Sequence, residues 1–177
     1  MKQHKTRSSG LSTRGALAVA LLVMLTLSAC ALNLVRHTFE FNMRDSPGVR
    51  ILDYRYGTTQ QPGARATASD HASNLVRQAA RISGEMVRGD DLYVKWLVET
   101  TGVAYEKTVD LRSVLPTDIR LHRLTFTIEG ARLNVFLVAP EPLPTGSPPS
   151  NLRRYQDLKV LTLSSGPGRE VPHSLNR

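Results

Sequence analysis

Apolar and polar residues alternate with a period of two along most of the chain beyond Val35. Val35, His37, Phe39, Phe41 and Met43 fall on one side of the segment 35–43, as in a half-buried strand. Asp45-Ser46-Pro47-Gly48 is a turn by composition. Alternation resumes over Val49 to Tyr56, with Leu52, Tyr54 and Tyr56 on one face. Pairing of these two segments as a hairpin is the simplest expectation. The polar stretch 57–68, with Pro62-Gly63, reads as a loop. Ser69 or Asp70 then caps a predicted short helix over about 70–81, on which Leu75, Val76, Ala79 and Ile82 share a side.

The clearest local signal lies in residues 91–111. Leu92, Val94, Trp96 and Val98 alternate with Tyr93, Lys95, Leu97 and Glu99; Thr100-Thr101-Gly102 breaks the run, and Val103 to Leu111 restores it. Two alternating runs around a short glycine-containing loop predict a β-hairpin. A second hairpin is predicted from Arg123 to Val138, turning at Glu129-Gly130-Ala131, with Leu124, Phe126 and Ile128 facing one way. Arg112 to Arg120, with Pro116 and Asp118, is a crossing loop between them.

After Val138, five prolines fall within ten residues. A proline-rich run cannot supply ladder donors, so residues 140–154 are expected to form a flexible extended connector. Tyr155 to Leu163 offers a last strand with Leu158, Val160 and Thr162 inward. From Ser164 on, Gly, Pro and Ser predict a disordered tail over 164–177. The expected fold is mainly β: six or seven short strands with one short helix, forming a small antiparallel sandwich or open barrel.

The first thirty residues follow a different rule. Lys2, Lys5, Arg7 and Arg14 precede an uncharged stretch from Ala16 to Ala29, which ends in Leu27-Ser28-Ala29-Cys30. A basic head, an apolar middle and small residues at the end describe a secretory signal peptide. An aliphatic residue, two small residues and a cysteine resemble the lipobox of bacterial lipoproteins. That resemblance implies that Leu27, Ser28 and Ala29 are read by the signal peptidase and that Cys30, the sole cysteine, becomes the lipidated N-terminus. Two or more acyl chains make membrane release slow. Ala31, where the family uses Asp to retain a protein at the inner membrane, points to the outer membrane, with the domain facing the periplasm. The uncharged stretch continues to Val35 and approaches the ~20 residues that span a bilayer, so an uncleaved signal anchor is the alternative. Either way the basic flank stays cytoplasmic and residues after Val35 are exported. The resulting organisation is a signal peptide 1–29, a lipidated tether 30–34, one β-rich domain 35–163 and the tail 164–177.

Removing the leader changes the charge. Four of the 23 Lys and Arg precede Cys30, leaving 19 against 15 Asp and Glu, so the formal charge falls from +8 to about +4. This withdraws any nucleic-acid reading. One cysteine allows no internal disulfide, although an exported domain meets an oxidising compartment.

Catalytic signals are sparse. His37, His71, His122 and His173 lack metal-ligand spacing, so no metal is expected, and His37 reads as a hydrogen-bonded core or edge residue. No serine sits in a Gly-x-Ser-x-Gly elbow, no glycine-rich loop opens a nucleotide site, and no cofactor is expected. Asp45, Asp53, Asp110 and Asp118 are candidates to converge as acid–base carboxylates. Arg88-Gly89-Asp90 reads as a simple turn. Tyr93 and Lys95, opposite in phase to Trp96, and Tyr105 across the hairpin form the candidate recognition surface.

Leu-Asp-Tyr-Arg-Tyr-Gly (52–57), Arg-Gly-Asp-Asp-Leu-Tyr-Val-Lys-Trp (88–96), Tyr-Glu-Lys-Thr-Val-Asp-Leu-Arg (105–112) and Leu-Pro-Thr-Asp-Ile (115–119) are similar to a group of small proteobacterial lipoproteins of unknown function. The resemblance spans most of residues 37–163 and implies a compartment, not a reaction. The expected function is that of a non-enzymatic envelope lipoprotein binding a periplasmic protein, for instance as an immunity or accessory protein. A hydrolase of envelope polymers and a structural outer-membrane component are the alternatives.

Overall fold

A computed structural model describes residues 34–150 and 152–172. Leu27, Ser28, Ala29 and Cys30, most of the tether and residues 173–177 lie outside the described residues. Among the described residues nine strands form two sheets: β1 (Leu34–Asn42), β2 (Val49–Tyr56), β3 (Ala79–Val87), β4 (Asp91–Val98), β5 (Val103–Asp110), β6 (Arg123–Glu129), β7 (Arg132–Pro142), β8 (Leu158–Pro167) and β9 (Arg169–Val171). One sheet has the order β3-β1-β6-β7-β8 and the other β2-β4-β5-β9. The architecture is therefore mainly β and a two-sheet sandwich, with nine strands where six or seven were expected.

The inward faces share one aromatic core. Phe39 stacks on Tyr56 at 4.9 Å and Phe41 on Phe126 at 5.0 Å, while Phe41 meets Tyr54 edge-on at 4.7 Å. These contacts join β1 and β6 of one sheet to β2 of the other, and Trp96, Ile51 and Val135 complete the cluster. Offset and edge-to-face aromatic pairs of this kind add about 0.5–1.5 kcal/mol each beyond the area they bury.

Both predicted hairpins form. β4 pairs with β5 from Asp91↔Asp110 to Val98↔Val103, and β6 pairs with β7 from Arg123↔Val138 to Glu129↔Arg132. The second turn is tighter than expected, since Glu129 belongs to the ladder and Gly130-Ala131 alone connects the strands.

Other expectations are corrected. β1 and β2 do not pair: β1 lies between β3 and β6, and β2 pairs with β4 in the other sheet. The sheet is mixed rather than antiparallel, because β1 runs parallel to β6 over Thr38↔Arg123 and Phe39↔Leu124. Leu52 does not share a face with Tyr54 and Tyr56. A bulge between Ile51 and Asp53 shifts the phase, so Val49 and Ile51 point inward before it and Tyr54 and Tyr56 after it.

The helix expected over about 70–81 shrinks to α1 (Ala68–Ala72), whose N-cap is Thr67 rather than Ser69 or Asp70. Thr67 and Asp70 form a reciprocal capping box. Asn74 then adopts φ 53°, which ends the helix. Ala79 to Arg81 are strand, because β3 gains an unbroken ladder with all nine residues of β1. Helix propensity is a weak prior beside a ladder of that length.

The proline-rich segment is also re-drawn. β7 continues through Pro140 to Pro142, with its ladder broken between Val138 and Pro142 where the missing N–H groups fall. The chain then folds back as a strap over the outer face of the five-stranded sheet, closed by Leu143 N–H to Asp157 O (2.8 Å) and Ser150 N–H to Gln156 O (3.1 Å). In β8 the buried residues are Leu163, at a bulge, and Gly166, and Thr162 is exposed. The tail expected from Ser164 instead completes β8 and supplies β9, which pairs with β5. Gly168 explains the misleading composition. A Cβ there would meet the Trp96 ring at 2.4 Å, so the glycine serves close packing rather than flexibility.

Candidate functional site

The register of β4 decides which of its residues face out. Trp96, Val94 and Leu92 enter the core, so Tyr93 and Lys95 point away from it. Their cross-strand neighbours extend the outer face into rows: Arg55–Tyr93–Thr108, and Asp53–Lys95–Glu106–Arg169. Tyr105 does not join them. It pairs with Trp96 and stacks on it at 5.9 Å, on the opposite side of the sheet.

This open face is laced with polar contacts. The Tyr93 hydroxyl donates to Glu106 Oε2 at 3.1 Å, and the Arg55 guanidinium lies over the Tyr93 ring at 5.8 Å. Arg55 also pairs with Asp91 at 2.7 Å, and Arg169 pairs with Glu106. Burial foremost, and then the bond to Glu106, push the Tyr93 hydroxyl up to about 12. Arg169 foremost, with Tyr93 adding to it against the opposing effect of burial, holds the Glu106 carboxyl below the usual range.

Beside these rows lies a groove of about 570 Å3 whose walls include Arg50, Asp53, His71, Leu75, Tyr93 and Lys95. Gln78 pins the far wall by bonding both the N–H and the C=O of Ile51, at 2.8 and 3.0 Å. The loop between α1 and Gln78 therefore holds Leu75 at the rim, 73% exposed. Asp53 is met by His71 at 3.4 Å. Arg50 and Lys95 make no ion pair among the described residues, while Asp53 meets only His71, which is charged only when protonated.

The four aspartates that were candidates to converge do not do so. Asp45 is met by Arg154 at 3.4 Å, Asp53 by His71, Asp110 by Arg112 at 2.6 Å and Asp118 by Arg120 at 2.6 Å. The hydrogen bonds from Arg112 and Arg120 hold Asp110 and Asp118 each at about 2. Among the described residues no group of three or more His, Cys, Asp or Glu gathers to hold a metal.

His37 is a core residue rather than an edge one. Nδ1 lies 2.7 Å from Val35 O and Nε2 2.8 Å from the Tyr56 hydroxyl, which accepts the Gly89 N–H at 3.0 Å. A carbonyl accepts only, so Nδ1 carries the proton and Nε2 accepts from Tyr56. The chain of donors runs from Gly89 through Tyr56 and His37 to Val35, and it closes only with a neutral imidazole. Burial foremost, opposed by the Val35 bond, lowers the His37 pKa. Arg88-Gly89-Asp90 is accordingly a packed turn: a Cβ on Gly89 would meet the Tyr56 ring at 2.4 Å.

A second groove, also about 570 Å3, lies under the strap on the other sheet. Sequence reasoning missed it. The signal available was Leu152-Arg153-Arg154-Tyr155, two apolar residues three apart in a proline-rich run. Arg153–Tyr155 forms a 3₁₀ turn, a geometry in which positions i and i+3 eclipse. Leu152 and Tyr155 thereby pack together on Phe136, Val138, Leu158 and Val160.

The chain matches no protein-family model, no curated protein and no solved structure.

Proposed function

We propose that the protein is a non-enzymatic lipoprotein of the cell envelope. A lipid on Cys30 holds it at the outer membrane facing the periplasm, and the open face of the four-stranded sheet docks a periplasmic protein with an acidic surface. The observation that carries the docking reading is the outward row of Tyr93 and Lys95 beside the exposed Leu75. Aromatic contact area with a polar handle, an apolar rim and unpaired cations suit a protein interface. The cations Arg50 and Lys95 select an acidic partner.

Two experiments test the two halves. Replacing Cys30 with Ser abolishes lipid labelling and membrane retention; unchanged labelling and retention would overturn lipid attachment. A photo-crosslinking residue at position 75 in intact cells gives a defined protein adduct, and Arg50→Glu with Lys95→Glu lowers its yield at least about tenfold, the equivalent of 1.4 kcal/mol. An adduct indifferent to the charge reversal, or none above background, would sink the docking reading whatever the fate of Cys30.

A further inference from the structure

The groove beneath the strap combines features that the open face lacks. Its floor is the outer side of the five-stranded sheet, where Thr125 and Thr127 of β6 and Thr162 of β8 flank Phe136 and Asn134 of β7. None of these three hydroxyls makes a side-chain hydrogen bond among the described residues. Thr125 is only 5% exposed and lines the groove. Asn134 lies in the same floor; its Oδ1 accepts from Ser165 at 2.6 Å, leaving the amide N–H groups as donors.

Two walls rise from that floor, and both are pinned. The 3₁₀ turn Met43–Asp45 is tied to β6 by Ser46, whose Oγ accepts the Ile128 N–H at 2.8 Å. The turn Arg153–Tyr155 is tied to β1 because the Tyr155 hydroxyl donates to Glu40, a carboxylate only 2% exposed. Arg81 Nε approaches the other Glu40 oxygen at 3.3 Å as an ion pair without hydrogen-bond geometry. Arg154 and Asp45, 3.4 Å apart, join the walls to each other. A groove held in this way needs little ordering when a ligand enters.

Each wall carries one arginine with no ion pair among the described residues: Arg44 on the first and Arg153 on the second. With Arg154 they make three guanidinium groups against the two carboxylates of Asp45 and Glu129. Donors thus approach from both walls and from the floor. A carboxylate presents two oxygens in one plane and is satisfied by a single guanidinium fork, whereas a phosphate presents oxygens in several directions. We propose that this groove binds a phosphate group, clamped by Arg44 and Arg153 and seated on Thr125, Thr127 and Asn134, with Thr162 at the far edge of the floor. The site stands on the opposite sheet from the partner surface and does not depend on it. The phosphate comes from a small soluble phosphorylated compound or from a lipid headgroup.

The test uses the full chain in non-ionic detergent, with threonine methyl groups labelled for NMR. Sodium phosphate shifts the Thr125, Thr127 and Thr162 methyl signals and saturates near about 1 mM, while chloride at matched ionic strength does not. Arg44→Gln with Arg153→Gln removes two exposed, unpaired side chains, leaves the other methyl signals in place and weakens phosphate binding at least about tenfold. Tighter binding of glucose 6-phosphate identifies a soluble source. Threonine methyl shifts produced by phosphatidylglycerol added to the same micelles, lost in the double variant and absent with phosphatidylcholine, identify a headgroup. No threonine shift with any of these probes at tens of millimolar, or shifts that survive the double variant, would overturn the proposal.

Discussion

The outer faces of the two sheets begin from similar alternating sequences and end in different environments. On the four-stranded sheet, Tyr93 and Lys95 meet solvent and one another's polar neighbours. On the five-stranded sheet the strap reaches the outward residues Glu40 and Thr125, which are as buried as the core. Period-two alternation separates the two faces of a strand. Whether the polar face stays wet is decided elsewhere in the chain, here by Leu152 and Tyr155 packing on Phe136 and Val138. One face therefore carries a buried carboxylate held by Tyr155 and Arg81, and the other a surface free to make contacts.

Both faces depend on the core between them, and its loss has the largest effect. Phe41→Ala removes a ring that touches Phe39, Tyr54 and Phe126 and is expected to cost about 3–5 kcal/mol in denaturant unfolding. The same chemical change on each outer face then separates them. Tyr155→Phe leaves a Glu40 oxygen buried without its donor and costs about 1.5–3 kcal/mol. Tyr93→Phe costs less than about 1 kcal/mol, because Glu106 keeps Arg169 and solvent. Equal losses from the two variants would break the comparison.

The pH profile tests the interior chain of donors. The folded pKa of His37 lies below the unfolded 6.5, so the unfolded chain takes up the proton first as pH falls. Stability is then lost from about pH 6.5 downward, by at most about 1.4 kcal/mol per pH unit. On the alkaline side Tyr56 is pushed up to about 12, chiefly by burial. Here the unfolded chain releases its proton first, and stability falls between pH 10 and about 12. Urea midpoints across pH 5–11 check both arms, and His37→Gln should flatten the acid one. The smallest effect belongs to Lys95→Glu, within about 0.5 kcal/mol for stability, although it impairs docking. A larger loss would mean that the open face also supports the fold.

Two of the three candidate surface residues were legible. Tyr93 and Lys95 follow directly from alternation about Trp96. Tyr105 was misplaced because its face depends on the hairpin register, which sets it opposite Trp96. The strap groove was not legible: its floor comes from β6, β7 and β8, and its walls from residues more than a hundred positions apart, as Asp45 and Arg154 are.

By itself, the sequence determined the mainly β class and the two hairpins β4–β5 and β6–β7. In those, a short loop and a period-two pattern fix a pairing between neighbours, and little chain entropy opposes it. Tertiary structure alone decided the rest. β1 found β3 and β6 instead of β2, a helix-like run became β3, and a glycine-rich tail became β9 against Trp96. Each of these pairings joins distant segments, and its free energy comes from burying surfaces that no local window of sequence contains.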